Sequence, residues 1–319
     1  MGRVIDLNPE FGYEIACGIP YAYWLHQRGE LDKVVTSKGM KPFYYFTDNV
    51  EEKYESRQVN NSVNGVEKLP NKWIHHNVKA VFPDKDYGDL TDEEKSMVHG
   101  VLDYSQWEVP DYKKEYSDDR FKFDKPTVLI SNKIVMDHGK EPHNYFDIKT
   151  LYELFVYLTE KGYSVLYKRP KMNEFPIDEN ERATIHNGFD IKSDVEGIGV
   201  ISDHELCKYF DDVYDFDVLV EDYKDEYTYN EIQLKTFSNI DKFISLGGGN
   251  SIFLCLFGGE LVAYVTTSGE CRDGYFDDNS YYRKLGNTNV HAVVDLEKNI
   301  VERGYNDYER FINKVKEVF

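Results

Sequence analysis

Short apolar runs alternate with amphipathic stretches along the chain, and the alternation sharpens after residue 125. Runs at 127–131, 163–167, 198–201, 217–220, 242–246, 261–265 and 290–294 have the length and composition of buried strands. Between them, Asp147 caps a stretch with Leu151, Leu154, Phe155 and Leu158 on one helical face, stopped by Gly162. Ser202 or Asp203 caps a helix over 204–210, a second covers 229–238 with Ile232, Leu234 and Phe237, and an amphipathic helix closes the chain over about 307–318. Upstream, 3–7 reads as a strand, 8–12 as a loop, and 13–28 as a helix that tolerates Pro20 as a kink and ends at Gly29. Strands are expected at 33–36 and 43–47. Residues 49–124 are polar and turn-rich, with an isolated apolar run at 78–82, and carry no pattern clear enough to assign.

Strands alternating with helices at this spacing predict an α/β fold built on parallel, doubly wound sheets. The break at Lys125-Pro126 divides the chain into two Rossmann-like domains, 1–124 and 125–304, facing an interdomain cleft, with 305–319 as a closing helix.

Composition narrows the function classes. The 319 residues carry a formal net charge of −20, which disfavours nucleic acid and anionic membrane surfaces as partners. An anionic small ligand would need a local basic pocket, so the well-placed Lys and Arg residues gain weight. The 26 tyrosines suit sugar stacking and hydroxyl recognition, and serve equally as core material. The four cysteines are scattered, with no zinc-like spacing, and read as free thiols in a reducing compartment. The start lacks a secretory core and no segment reaches a membrane-spanning length, so a soluble, cytoplasmic protein is expected.

The densest chemical signal is 241–259: a short strand, then Gly247, Gly248 and Gly249, then Asn250 and Ser251 as caps of a helix that ends at Gly258-Gly259. A strand, a glycine turn and a helix start leave backbone N–H groups facing outward, which suits an anion. Ile252 occupies the third position of the dinucleotide fingerprint, and no Gly-Lys-Ser/Thr follows, so neither an intact NAD nor an ATP γ-phosphate fits the pattern. Ligands of open parallel sheets bind beyond the carboxyl ends of the strands. Asn132-Lys133 and Lys168-Arg169-Pro170 lie at two further such ends, and two cationic clusters with a glycine turn suit a diphosphate.

The strand opening Thr-Val-Leu-Ile-Ser-Asn-Lys, the strand end Tyr-Lys-Arg-Pro and the segment from Tyr229 through Ser251 together resemble the nucleotide-sugar-dependent glycosyltransferases of the GT-B fold. They are particularly similar to the divergent enzymes that large DNA viruses of algae carry for capsid glycans. The likeness covers mainly 125–295 and is one of layout. It implies a second domain that holds a nucleoside-diphosphate sugar, a UDP-sugar such as UDP-xylose being the working choice. A first domain would hold a glycan or glycoprotein acceptor, with the closing helix crossing back onto it. The amides of 247–251, with Lys133 and Lys168 or Arg169, would balance the leaving diphosphate with no metal or other cofactor. Where many family members have a ribose-binding glutamate after the glycine turn, this chain has Ile252, Phe253, Leu254 and Cys255, and Glu231 is the substitute.

An inverting transfer needs a general base from the first domain. Glu14, in the first strand-to-helix loop, is the first choice, Asp48 the second and the His75-His76 pair the third. Two other readings stay open: a metal-dependent GT-A enzyme using Asp215-Phe216-Asp217 as its Asp-x-Asp, and a non-catalytic carbohydrate- or nucleotide-binding protein.

Overall fold

The computed structural model describes residues 2–55, 57, 68–71, 77–134, 144–169, 191–195, 197, 199–266 and 269–319. Strands β1 (Arg3–Asp6), β2 (Leu31–Ser37) and β3 (Val50–Tyr54) form a small parallel sheet in that order. Strands β4 (Thr127–Ser131), β5 (Ser164–Lys168), β8 (Val213–Asp215), β9 (Lys242–Leu246), β10 (Glu260–Val265) and β11 (Asn289–Val294) form a six-stranded parallel sheet. Between β5 and β8, β6 (Lys192–Val195) and β7 (Gly199–Ser202) pair as a separate antiparallel hairpin. The fold is therefore α/β with parallel sheets.

The order of the large sheet is β11-β10-β9-β4-β5-β8. From β4 the chain winds outward through β5 to β8, then returns to the other side of β4 and winds outward through β10 to β11. The direction reverses between β4 and β9, and in doubly wound sheets that is where a ligand crevice opens at the carboxyl ends. The strands are near-continuous apolar runs because both faces are covered. Leu129, Leu166, Phe243 and Ala263 enter one core, while Val128, Ile130, Val165, Ile244 and Val262 enter the other.

The first core is shared by the two sheets. Phe11 and Phe43 from the amino-terminal unit pack edge-on against Phe253 of the helix Gly249–Leu254, with ring centres 5.8 and 5.4 Å away. This contact brings the loop before Phe11 onto the glycine turn. The second core lies under the helix Ile148–Glu160, whose Asp147 cap accepts from the Thr150 amide at 2.7 Å as its sequence implies.

Three expectations are corrected. Residues 43–47 are not a strand: Lys41–Tyr44 forms a 3-10 turn, because Pro42 fixes a helical φ while Phe43 and Tyr44 drop into the core. Residues 217–220 lie inside the helix Phe216–Tyr223, since Asp215 caps it and Phe216 and Val220, four apart, share its buried face. The closing helix, Tyr308–Val318, does not cross to the first unit. It packs Phe311, Ile312 and Val315 into the second core, and Phe311 stacks on Phe146 with ring centres 5.0 Å apart.

Candidate functional site

The crevice between the carboxyl ends of β4 and β9 is built from Lys133 and the glycine turn. The Lys133 ammonium donates to the Gly247 carbonyl at 2.5 Å and so bridges the two strand ends. Gly248 has φ +118°, a region side chains avoid, and a Cβ there would meet the Lys133 nitrogen at 2.9 Å. Its carbonyl accepts the Ile252 amide at 3.1 Å and the Ser251 hydroxyl at 2.7 Å. The helix thus begins at Gly249 with Gly248 as its cap residue. Asn250 and Ser251, expected as caps, stand inside its first turn.

The first unit closes over this turn. A Cβ on Gly12 would lie 3.1 Å from the Gly249 Cα and 2.9 Å from Ile252 Cδ1, so a larger residue would push against the turn and turn Ile252 aside. Glu10, half-buried, brings its Oε1 to within 3.6 Å of where a Gly249 Cβ would stand. Burial pushes the Glu10 carboxyl above the usual carboxylate range, against the opposing charges of Lys133 and Arg57 and the Gly12 amide. Behind the turn, Ser251 Oγ meets the Tyr282 hydroxyl at 2.9 Å, and that hydroxyl donates to buried Glu270 at 3.2 Å. Burial pushes Glu270 up to about 7, with Glu10 adding to the rise and Lys133 opposing it. Among the described residues, Lys133, the glycine turn and two carboxyls that take up protons more readily than free ones are thus brought together here.

Several other residues singled out from sequence are employed elsewhere. Glu14, the expected base, is wholly buried in a π-helical turn, Glu14–Gly18. Its Oε1 accepts from Thr36 at 2.5 Å and from Tyr44 at 2.6 Å, and its Oε2 is paired with Arg57. With both oxygens held, it cannot reach an acceptor hydroxyl. Arg57 also donates to the Pro9 carbonyl at 3.0 Å, and Ser37 donates to Asn8 at 2.8 Å, so this network sets the loop that presents Glu10. Asp48 is exposed in the turn before β3, and His75 lies outside the described residues, as does Pro170.

Asn132 is buried, and its amide pins the loop to Phe146: it donates to the Phe146 carbonyl at 3.0 Å and to the Tyr167 hydroxyl at 2.9 Å, and accepts the Phe146 amide at 2.9 Å. Lys168 is buried with its ammonium 6.0 Å from the centre of the Tyr229 ring. Arg169 grips Asp203 through Nε and through Nη2, the latter at 2.7 Å. Burial lowers the Arg169 pKa and the Asp203 carboxylate more than reverses that, so the pair stays charged. Glu231 closes the capping box of the helix Tyr229–Phe237, accepting the Thr228 amide at 2.8 Å, and is not a ribose ligand in this arrangement.

The Asp215-x-Asp217 pair is a helix start. Asp215 accepts the Asp217 amide at 3.0 Å, and its other oxygen lies 2.7 Å from His204 Nδ1. His204, Asp215 and Asp217 offer three ligand-type atoms within 4.8 Å of one another, a set that could hold a divalent cation at the edge of the sheet. This group lies at the end of β8, two strands from β4 and away from the glycine turn.

Glu10 and Glu270 were not read from the sequence. Glu10 stands one turn before Glu14, whose amide it accepts at 3.1 Å, and nothing local distinguishes the two glutamates. Glu270 follows β10 in a turn with no motif. Of the tyrosines, Tyr13, Tyr44, Tyr112, Tyr167, Tyr264, Tyr275, Tyr281 and Tyr282 are fully buried core residues. Among the described residues no helix is long and apolar enough to cross a membrane. Comparison with protein-family models, with curated proteins and with solved structures finds no match.

Proposed function

We propose that the chain is a GT-B-type glycosyltransferase that moves a sugar from a nucleoside diphosphate to an acceptor hydroxyl with inversion and without a metal. The observation that carries this reading is the crevice between β4 and β9, where Lys133 and the glycine turn meet a glutamate supplied by the other sheet. The donor diphosphate sits against Lys133 and the amides of Gly248 and Gly249, since the expected Gly247 amide is already bonded to the Tyr264 carbonyl at 2.9 Å, and UDP is the nucleotide to try first. Glu10, rather than Glu14, accepts the proton of the acceptor hydroxyl as that oxygen attacks the anomeric carbon. The bond from that carbon to the diphosphate oxygen breaks, and the electron pair leaves with the diphosphate. Lys133 and the amides stabilise the charge that grows there. A protonated Glu270 does not repel the leaving group. Because the base works ionised, turnover rises with pH through the elevated pKa of Glu10.

The test is donor binding and product formation by Glu10→Gln and Glu14→Gln with a panel of nucleoside-diphosphate sugars. Glu10→Gln is expected to lose on the order of 10²–10⁴ in turnover and to keep donor affinity. Near-normal turnover in that variant removes Glu10 as the base, and no nucleotide binding at all ends the donor reading. The grouping of His204 with Asp215 and Asp217 favours a second, metal-dependent reading. Turnover abolished by EDTA in the unmodified protein would establish it.

A further inference from the structure

On the far side of the helix Tyr281–Lys284, an open groove of about 660 Å³ runs between Tyr104 and Trp107 on one wall and Asp278, Arg283, Lys284 and Asn287 on the other. Its size falls in the range of small-ligand sites. Its lining combines an aromatic corner with amide, carboxylate and ammonium groups. Trp107 and Tyr104 meet edge to face, ring centres 5.0 Å apart at 72°. Lys284 stands 5.2 Å from the Tyr104 ring centre, and Trp107, partly buried against the first core, lines the groove beside it.

Trp107, Tyr104 and Arg283 are anchored by hydrogen bonds. The Trp107 indole N–H donates to the Ala16 carbonyl at 2.7 Å, and the Tyr104 hydroxyl donates to the Asn279 carbonyl at 2.6 Å. Arg283 spends its guanidinium on Phe276 O, Asn289 Oδ1 and Val290 O at 2.6, 2.8 and 3.0 Å. Asn287 has a left-handed backbone, φ +56°, and among the described residues its amide makes no hydrogen bond. Asp278 is almost fully exposed, 3.8 Å from Arg283 Nε.

We infer that this groove binds a neutral oligosaccharide, with a sugar ring stacked on Trp107 and its hydroxyls bonded to Asn287, Asp278 and Lys284. A sugar ring has an apolar C–H face and a rim of hydroxyls that both donate and accept, which matches an indole shelf beside mixed polar groups. A lipid or other apolar ligand would strip water from Asp278 and Lys284 without replacing it. A polyphosphate would find the Arg283 guanidinium already bonded and the Lys284 charge offset by Asp278. The inference goes beyond the transferase reading and does not rest on it.

The experiment is saturation-transfer NMR and tryptophan fluorescence with neutral xylo-, gluco- and mannohexaose. At least one is expected to bind, and Trp107→Ala to weaken it about tenfold or more. The surface double variant Asp278→Ala/Lys284→Ala should weaken binding severalfold with the fold intact, which decides the matter even if Trp107→Ala fails to fold. Asp48→Asn, a substitution at an exposed residue outside the groove, should bind the hexasaccharide as the unmodified protein does. Binding by none of the three sugars overturns the inference. So does binding that survives the double variant, which would place the sugar elsewhere on the molecule.

Discussion

Two glutamates one helical turn apart, Glu14 and Glu10, sit in opposite kinds of environment. Glu14 is sealed in the first unit, its two oxygens shared among Thr36, Tyr44 and Arg57. Glu10 is half-buried where the first unit meets the glycine turn, with Lys133 and Arg57 near enough for their charges to act on it. A carboxylate whose lone pairs are already met, and which is shut off from solvent, holds structure together. A carboxyl at the edge of a crevice, with an elevated pKa, is fitted to move a proton. Arg57 joins the two, since it pairs with Glu14 and also holds the Pro9 carbonyl beside Glu10.

The widest separation between the two should appear in stability. Glu14→Ala leaves the Arg57 guanidinium buried and uncompensated, a loss expected at about 3–5 kcal/mol. Glu10→Gln should change stability by less than about 1 kcal/mol. Urea unfolding of both variants measures this, and a larger loss in the Glu10 variant would break the comparison.

Arg169 belongs with Glu14 rather than with Glu10. Arg169→Ala abandons Asp203 in the core, and a loss of about 3 kcal/mol or more is expected while nucleotide affinity stays unchanged in the folded fraction. A selective drop in nucleotide affinity on calorimetry, with normal unfolding, would return Arg169 to the ligand site.

Glu270 sharpens the crevice side of the comparison through pH. Its folded pKa of about 7 stands above the usual 4.5, so the native state holds a proton that the unfolded chain releases between those values. The stabilisation is fully present below about pH 4.5, falls as pH rises toward 7, and is gone above it, amounting to roughly 3 kcal/mol. Stability curves of the unmodified protein and Glu270→Gln should diverge across that window. Parallel curves would mean that Glu270 ionises normally. The smallest effect is expected at Asp48, which is exposed. Asp48→Asn should shift stability by no more than about 0.5 kcal/mol, and assay of the same variant should show turnover unchanged. A large fall would bring Asp48 back as a base.

Much of the large sheet was legible in the chain. The runs at 127–131 and 242–246 coincide with β4 and β9, Asp147 caps its helix, Gly162 ends it, and the three glycines form the turn. Each of these signals is complete within a few residues: an apolar run, a capping oxygen, a residue that tolerates positive φ. The strand expected at 43–47 failed because Pro42 and two core-seeking aromatics outweighed the β-propensity of the run. That at 217–220 failed because a capping aspartate sat just before it.

The site divides along the same line. Sequence alone determined that a glycine turn and Lys133 would stand at strand ends of a parallel sheet, because strand direction and turn chemistry are local properties. Tertiary structure decided which groups those ends would meet. Arg57 finds Glu14 across 43 positions of chain, Asp203 takes Arg169 across 34, and Tyr282 reaches Ser251 across 31. Such pairings are set by the order in which strands assemble and by where the two units touch, and no local pattern encodes them. That is why Glu14 was legible as a candidate and Glu10 emerged only once Gly12 was seen against Gly249.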